Sequence, residues 1–235
     1  MDFTKFVSLL EKKALFFPRA DKLGDSFEGS LSKGNIQHRI STYNHIRSSL
    51  PPTTKIVVDM PPNAQSQLFK DFRKFVFINS WHISEHESAA MWKLYLKSGE
   101  GIAIQSTYNR LKDCFSEGTP DIFVGLVKYT DYTSGLISEE NLFYRYLNKR
   151  KSFEHEQELR AIIFSFPPSD NPPKLPKPPS KDGLLIDVDC DLLIEKILVV
   201  PKSPKWTREL VKSIMTKYGL NKLVKQSSLD AKALY

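Results

Sequence analysis

The sequence predicts an α+β protein in which helices flank a mixed or antiparallel central sheet. Apolar residues at helical spacing alternate with β-branched and aromatic runs of strand length. These segments do not follow the regular strand–helix–strand rhythm of a doubly wound α/β sheet, and the sequence has no glycine-rich phosphate loop. We therefore expect a single domain over residues 1–235, interrupted by a proline-rich surface loop at residues 167–181.

Composition indicates an ordinary globular chain. The 235 residues can bury a core, and 40% of them are hydrophobic and 26% charged. Cys114 and Cys190 lie far apart without metal-ligand spacing, which favours reduced thiols in a cytoplasmic protein. No apolar run reaches membrane-spanning length, and residues 1–13 lack the pattern of a secretory signal. We expect a cytoplasmic protein that does not bind membranes.

The net charge of +7 permits an acidic partner but does not require one. In the C-terminal third, basic residues alternate with proline or apolar residues, which is typical of a solvated face. Nucleic acid is therefore a possible partner that the sequence does not favour, and a small nucleotide is the other candidate.

The first part of the chain contains a helix and a short strand. Asp2–Lys13 has an apolar helical stripe, and Ala14–Phe17 is a strand closed by Pro18. The polar loop that follows contains Phe27, which we expect to be a buried plug. Further helices are expected at Leu31–Ser48 and Ser66–Lys74, with a proline-punctuated connector or edge strand between them at Pro51–Asn63.

The centre of the chain, Trp81–Ser106, has the pattern of one structural unit. A strand, Phe75–Ser80, leads into it, and a helix is expected over Glu87–Lys97, capped by Ser84 or Glu85. One face of that helix is apolar and should be buried, with Met91 in the core. A glycine turn then leads to a strand at Ile102–Gln105.

The remainder of the chain mixes strands with helices. Its helices are predicted at Tyr108–Phe115, Glu139–Lys149 and Pro204–Tyr218. Its strands are predicted at Ile122–Tyr129, Leu159–Phe166, Leu184–Val188, Ile194–Val200 and Leu223–Ser227. Pro167–Lys181 has seven prolines in fifteen residues, so we expect a solvated, polyproline-like loop there.

Three glutamates alternate directly before a predicted strand, as Glu154-x-Glu156-x-Glu158, and Arg160 follows them. Residues two apart on a strand share a face, so the three carboxylates could point the same way and raise one another's pKa. Alternatively, each glutamate meets solvent or the basic run Lys149–Lys151. The spacing alone leaves both interpretations open.

Several blocks of the sequence resemble one family. They are Gly24-Asp25-x-Phe27-Glu28-Gly29, Trp81-His82-x-x-Glu85-x-Glu87-Ser88-x-x-Met91-Trp92-x-x-Tyr95, Lys151-x-Phe153-Glu154-x-Glu156-x-Glu158-x-Arg160 and Gln226-Ser227-Ser228-Leu229. This set is similar to the bacterial domain of unknown function 2971 family (DUF2971) and runs over nearly the whole chain. The resemblance implies a fold and a set of positions, but no reaction.

Glu-x-Glu at the start of a strand also resembles the catalytic element of some mono-ADP-ribosyltransferases. That resemblance implies NAD as a substrate, with Glu156 or Glu158 on the ribose of an oxocarbenium-like state and an aromatic side chain on nicotinamide. ADP-ribosyl transfer or NAD hydrolysis in a toxin or phage-defence protein is the first hypothesis. We expect one polar cleft, with Glu156, Glu158 and His82 as catalytic candidates. Its ligand-binding candidates are Arg19, Asp25, Glu28, Trp81, Glu87, Trp92, Tyr95 and Arg160.

Two other classes of function fit the same residues. In one, the polar set binds a nucleotide or a protein partner without catalysis. In the other, a metal-dependent hydrolase uses His82-x-x-Glu85-His86, the inverted zinc-peptidase pattern. That pattern needs one continuous helix, whereas His82 is predicted to end a strand, so we predict no metal ligand. The sequence predicts no cofactor, and NAD enters only as the substrate of the first hypothesis.

Overall fold

The structure is a computed structural model that describes residues 1–49, 61–96, 100–166 and 177–233. The predicted α+β class is confirmed. The α-helices are α1 (Phe3–Lys12), α2 (Lys33–Ser49), α3 (Pro62–Phe72), α4 (Ala89–Tyr95), α5 (Tyr108–Asp113), α6 (Phe143–Tyr146), α7 (Cys190–Leu193) and α8 (Lys205–Lys217). The strands are β1 (Ala14–Pro18), β2 (Val76–His82), β3 (Ile102–Gln105), β4 (Phe123–Leu126), β5 (Lys128–Thr130), β6 (Asn148–Arg150), β7 (Glu158–Phe164), β8 (Gly183–Asp187), β9 (Lys196–Val199) and β10 (Leu223–Gln226).

The chain divides into two compact units, and each unit is assembled from segments that are distant in sequence. The first unit comprises residues 1–17, 83–120 and 185–235, and the second comprises residues 18–82 and 121–184. The chain therefore passes between the units four times. The prediction of one domain over the whole chain stays a prediction.

The first unit contains a mixed three-stranded sheet in the order β10-β9-β3. The central strand β9 is antiparallel to β3 and parallel to β10. Helix α8 is amphipathic and buries Thr207, Val211 and Met215, which recur every four residues. Strands β1 and β8 form a separate two-stranded sheet, most of whose residues belong to this unit.

The second unit contains an antiparallel three-stranded sheet in the order β2-β7-β4, and a parallel pair, β5 and β6. The central strand β7 is buried along nearly its whole length because it has a neighbour on each side. Val76 and Ile78 of β2 and Ile162 of β7 pack with Ala20 and Tyr146 in one apolar cluster. This cluster lies on the same face of the sheet as the candidate site.

Two predicted elements of the second unit are wrong in their extent. The expected strand Ile122–Tyr129 is two strands that are interrupted at Val127. The chain changes partner there: Val127 N–H donates to the carbonyl of Glu158, and Lys128 N–H donates to the carbonyl of Leu147. The expected helix over Glu139–Lys149 is only the single turn α6, because Asn148–Arg150 pair with β5 instead.

The predicted central helix exists, but it is shorter and less buried than expected. It spans Ala89–Tyr95, and its cap is Ser88, whose Oγ accepts a hydrogen bond from Met91 N–H at 3.3 Å, rather than Ser84 or Glu85. No residue of α4 is buried, Met91 is only half-buried, and Leu94 is 58% exposed. The prediction of Met91 as a core residue is therefore wrong.

Most of the predicted connector around Lys55–Val58 lies outside the described residues, as does the proline-rich loop at residues 167–176. Residues 177–181 of that loop are described and contain no helix or strand. Among the described residues, no helix combines the length and the apolar composition that crossing a bilayer requires.

Candidate functional site

The candidate site lies in the second unit, where the central strand β7 begins. Residues directly opposite each other in the antiparallel sheet point to the same face, and the register pairs His82 with Glu158 and Ser80 with Arg160. Ile162 continues the same face into the apolar cluster. One face of β7 is therefore apolar toward its end and ionic at its start.

Arg160 is the most deeply buried member of this ionic group. Its guanidinium binds the carboxylate of Glu28 in bidentate fashion, with distances of 2.6 and 2.9 Å, and both side chains are 1% exposed. Nε donates to Glu158 Oε2 at 2.7 Å, and Nη1 donates to the carbonyl of Tyr146 at 2.7 Å. Burial alone would lower the pKa of Arg160, but the two carboxylates raise it. Arg160 therefore stays charged and fixes Glu28 and Glu158.

The cross-strand neighbours of Arg160 on both sides have small side chains or none. They are Ser80 on β2 and Gly125 on β4, both small residues. A Cβ atom at position 125 would lie 2.7 Å from Leu147 Cδ1, so only glycine fits there without a shift. Gly125 thus leaves space for the side chain of Leu147.

Lys149 joins the two glutamates that precede Arg160. Its Nζ donates to Glu158 Oε1 at 2.5 Å and also to Glu156 Oε2. Burial would lower the pKa of Lys149, but the hydrogen bonds to these carboxylates raise it, so the ammonium stays protonated. The hydroxyl of Tyr129 accepts a hydrogen bond from Glu158 N–H at 2.9 Å and completes the group.

The pKa values of the two glutamates are shifted in opposite directions. Burial and a hydrogen bond with Glu158 raise the pKa of Glu156. Burial would also raise the pKa of Glu158, but Glu156, Arg160 and Lys149 together lower it. A pair of neighbouring carboxyl groups with displaced pKa values can divide the roles of proton carrier and fixed anion. Here the pKa of Glu156 is the raised one and that of Glu158 the lowered one.

Exposure distinguishes the two glutamates as well. The side chain of Glu156 is 12% exposed, against 5% for Glu158 and 1% for Arg160. His82 lies next to Glu156: its Nδ1 is 2.7 Å from the carbonyl oxygen of Glu156. Because a carbonyl only accepts, Nδ1 carries a proton, and the buried Nε2 makes no hydrogen bond within the described residues. Of the two glutamates bound by Lys149, Glu156 is therefore the more accessible to a ligand.

The predicted strand-like alternation of the three glutamates is wrong. Glu154 and Glu156 belong to a 3₁₀-helix, Lys151–Glu156, and Gln157 has a left-handed backbone with φ of 41°. Glu158 is the first residue of β7, so Glu156 and Glu158 meet at Lys149 through a turn rather than along a strand. Glu154 is exposed. The alternative interpretation, contact with the basic run, is correct for Glu156 and Glu158.

The early polar loop contributes two carboxylates to the same region. Glu28 binds Arg160, and Asp25 Oδ1 accepts from Arg150 Nη2 at 2.8 Å and from Phe27 N–H at 3.0 Å. The prediction of Phe27 as a buried plug is wrong, since its side chain is 40% exposed. Arg19 is buried, and its guanidinium binds Asp21 in bidentate fashion as well as the carbonyl of Ser180.

The aromatic candidates occupy other positions. Trp81 alternates with His82 along β2, so it faces the opposite side of the sheet, where Nε1 donates to Asn79 Oδ1 at 2.6 Å. Trp92 and Tyr95 belong to α4 in the first unit.

Glu87 also belongs to the first unit and joins two of the sequence blocks. Its carboxylate accepts from Ser227 Oγ and Ser228 N–H, both at 2.6 Å, and from Trp92 Nε1 at 3.2 Å. Burial would raise the pKa of Glu87, but these hydrogen bonds lower it. Its observed contacts hold the C-terminal segment beside α4.

The pattern His82-x-x-Glu85-His86 does not lie on a helix. His82 ends β2, and His86 lies in an exposed bend before α4. Within the residues that the structure describes, no three His, Cys, Asp or Glu side chains are arranged to hold a metal ion.

The residues that the sequence did not place in the site are Lys149, Arg150, Tyr129 and Phe153. The signal for Lys149 and Arg150 was the basic run directly before the glutamates, and Phe153 was part of a block that resembles the DUF2971 family. Tyr129 is a hydrogen-bond partner across the sheet, and no local pattern identifies it.

Comparison of the chain with models of protein families, with curated proteins and with solved structures found no match. The resemblance to the DUF2971 family therefore stays a prediction.

Proposed function

We propose that this chain cleaves the N-glycosidic bond between nicotinamide and ribose in NAD, and passes the ADP-ribosyl group to water or to an acceptor. The observation that carries this proposal is the pair Glu156 and Glu158, gathered on Lys149 with pKa values displaced in opposite directions. Such a pair suits a reaction that needs both a proton acceptor and a lasting negative charge.

Each glutamate has a separate role in the reaction. When the C1′–N bond breaks, its electron pair leaves with nicotinamide, and positive charge develops on the ribose ring. The ionised carboxylate of Glu158, fixed by Arg160 and Lys149, supplies negative charge that needs no rearrangement. Glu156 takes the proton of the incoming water or acceptor hydroxyl as the new C1′–O bond forms. Its greater exposure and raised pKa support this role.

The test is nicotinamide release from NAD by the purified protein. Glu156→Gln removes the proton acceptor and keeps the shape, so we expect a loss of about 100-fold or more in rate. Glu158→Gln should also abolish release, because the fixed negative charge is lost. Glu154→Gln is the matched control: it lies in the same 3₁₀-helix but is exposed, and it should leave the rate unchanged.

Two results would contradict the proposal. The first is no release by folded wild-type protein when a protein or nucleic-acid extract is supplied as acceptor. The second is release that is equally fast in Glu156→Gln and in the wild type. A toxin or phage-defence role predicts in addition that expression in a bacterial host is toxic, and that Glu158→Gln abolishes the toxicity.

A second candidate is a binding module that holds a nucleotide or a protein partner without turnover. The observation that favours it is that both oxygens of Glu158 and of Glu28 are already bound by Arg160 or Lys149. Tight binding of NAD, unchanged over time and without nicotinamide release, would support this candidate and exclude the first.

A further inference from the structure

We infer that Phe27, Arg150 and Phe153 form a subsite for a nucleoside diphosphate, in which Arg150 binds phosphate and Phe27 stacks on the base. The choice of nucleotide rests on the proposed function, since NAD contains an ADP group. The subsite itself rests on three independent features of the second unit: a stacked guanidinium, an exposed aromatic ring and their position beside the glutamate pair.

The guanidinium of Arg150 contacts two aromatic rings. Its Cζ lies 4.3 Å from the centroid of Phe27 and 5.2 Å from that of Phe153. Its side chain is 34% exposed, in contrast to the fully buried Arg160. Aromatic stacking fixes the plane of a guanidinium and so directs its unbound N–H groups. In Arg150, Nη2 is bound to Asp25 Oδ1, and Nε is buried without a hydrogen-bond partner within the described residues. Arg150 thus has the geometry of an anion-binding group and remains accessible.

The ring of Phe27 is exposed, yet its position is fixed. Its backbone N–H is bound by Asp25 Oδ1, and its ring meets Tyr132 edge-on with centroids 5.8 Å apart. The ring also contacts the guanidinium of Arg150. A large aromatic ring that is held rigidly but left exposed is a stacking surface for a nucleobase.

Phe153 connects this surface to the glutamate pair. The Nζ of Lys149, which binds Glu156 and Glu158, lies 4.7 Å from the centroid of Phe153. The same ring contacts Arg150. A diphosphate on Arg150 would therefore lie beside the same ring that contacts the lysine of the glutamate pair. The exposed Lys151 adds positive charge next to Arg150.

The carboxylate of Asp25 competes with a ligand phosphate for the guanidinium of Arg150. Its Oδ1 accepts from Arg150 and also from the N–H of Phe27. Asp25→Asn keeps a side-chain oxygen for the N–H of Phe27 but removes the charge that occupies Arg150. A structural role for Arg150 predicts weaker or unchanged ligand binding in this variant, whereas the proposed role predicts tighter binding.

The experiment is calorimetric titration with ADP, which has no nicotinamide bond to cleave. We expect Asp25→Asn to bind ADP about threefold to tenfold more tightly than the wild type, because phosphate no longer competes with an ion pair. Phe27→Ala should weaken ADP binding by about tenfold or more through loss of stacking. Arg150→Gln should abolish it, and Arg150→Lys should restore it only in part. Lys33→Gln, which removes an exposed charge of the same unit, is the control and should bind as the wild type does.

The outcomes separate this inference from the proposed reaction. Thermal melting of each variant first establishes that it is folded, and Phe27→Ala and Asp25→Asn then decide the inference. Equal ADP affinity in these two variants and in the wild type, or no ADP binding to the wild type, overturns the subsite. Glu156-dependent nicotinamide release in that case leaves the reaction standing. ADP binding that follows the predicted order without any nicotinamide release supports the subsite and excludes the reaction.

Discussion

At the scale of one residue, Arg160 shows which contacts a buried charge requires. A buried charge is tolerated only when its hydrogen bonds are satisfied, and this guanidinium binds Glu28, Glu158 and the carbonyl of Tyr146. Arg160→Met keeps much of the apolar volume but leaves Glu28 as a buried, unpaired carboxylate. We expect the free energy of unfolding, measured with urea, to fall by about 3–5 kcal/mol.

The control for that prediction is an ion pair at the surface. Lys205 Nζ and Glu209 Oε1 lie 3.8 Å apart on α8, and both side chains are largely exposed. Lys205→Ala should change the free energy of unfolding by less than about 0.5 kcal/mol. An Arg160→Met protein as stable as the wild type would show that the buried network contributes nothing to folding. Adding Glu28→Gln to Arg160→Met should recover part of the loss, since the unpaired charge is then removed.

The sequence identified part of this residue-level arrangement. Glu28, Glu156, Glu158 and Arg160 were all predicted as site residues, and the structure brings them together. The partner that joins two of them, Lys149, was not predicted. Spacing along a strand reports which residues share a face, but it does not report which side chain faces them from another element.

At the scale of the element, the loop that carries Glu28 depends on Gly29. Its φ is +69°, a left-handed conformation, and a Cβ atom there would lie 2.5 Å from Tyr146 Cε1. Gly29→Ala should lower the free energy of unfolding by more than about 1 kcal/mol, because backbone strain and a steric clash act together. Denaturant unfolding measures the change directly.

Gly24 provides the matched control in the same loop. A Cβ atom there meets nothing within 4 Å. Gly24→Ala should therefore be neutral or slightly stabilising, since it reduces the freedom of the unfolded chain. Equal effects of the two substitutions would mean that the loop tolerates a side chain at Gly29 by moving away from Tyr146.

Elements with a strong local pattern were predicted well, and those defined by their partners were not. The amphipathic helix α8 and the apolar strand β7 lie close to their predicted positions. The run from Ile122 to Tyr129 is uniformly β-favouring, yet it divides because β4 pairs with β7 and β5 pairs with β6. Hydrogen-bond partners that are distant in sequence decide this division, and no local window contains them.

At the scale of the whole molecule, the α+β class followed from the mixture of periodicities, but the division into two units did not. Each unit collects segments from widely separated parts of the chain, and the chain passes between the units four times. No change in composition marks these crossings. The predicted single cleft drew on residues of both units, and the ionic group described here lies within the second alone.

The glutamate pair also predicts how the stability of the whole molecule changes with pH. The pKa of Glu158 is lower in the folded protein than in the unfolded chain. The unfolded chain therefore binds the proton first, and the stabilisation from Glu158 is lost as the pH falls below about 4.3, the ordinary glutamate value. The raised pKa of Glu156 acts in the opposite sense, because its contribution to stability is lost as the pH rises through its folded-state pKa.

Urea unfolding of the wild type and of Glu158→Gln, followed from about pH 7 to about pH 3, measures the first effect together with the change in Glu156, whose pKa Glu158 helps to raise. Other acidic residues with lowered pKa values, Asp21 and Glu87 among them, are present in both proteins and cancel in the difference. We expect the wild type to be the more stable protein at neutral pH, and its advantage to shrink steadily below about pH 4.3. An advantage that stays constant over this range would mean that the carboxylate of Glu158 is not ionised beside Arg160 and Lys149. Its role as the fixed anion of the proposed reaction would then fail as well.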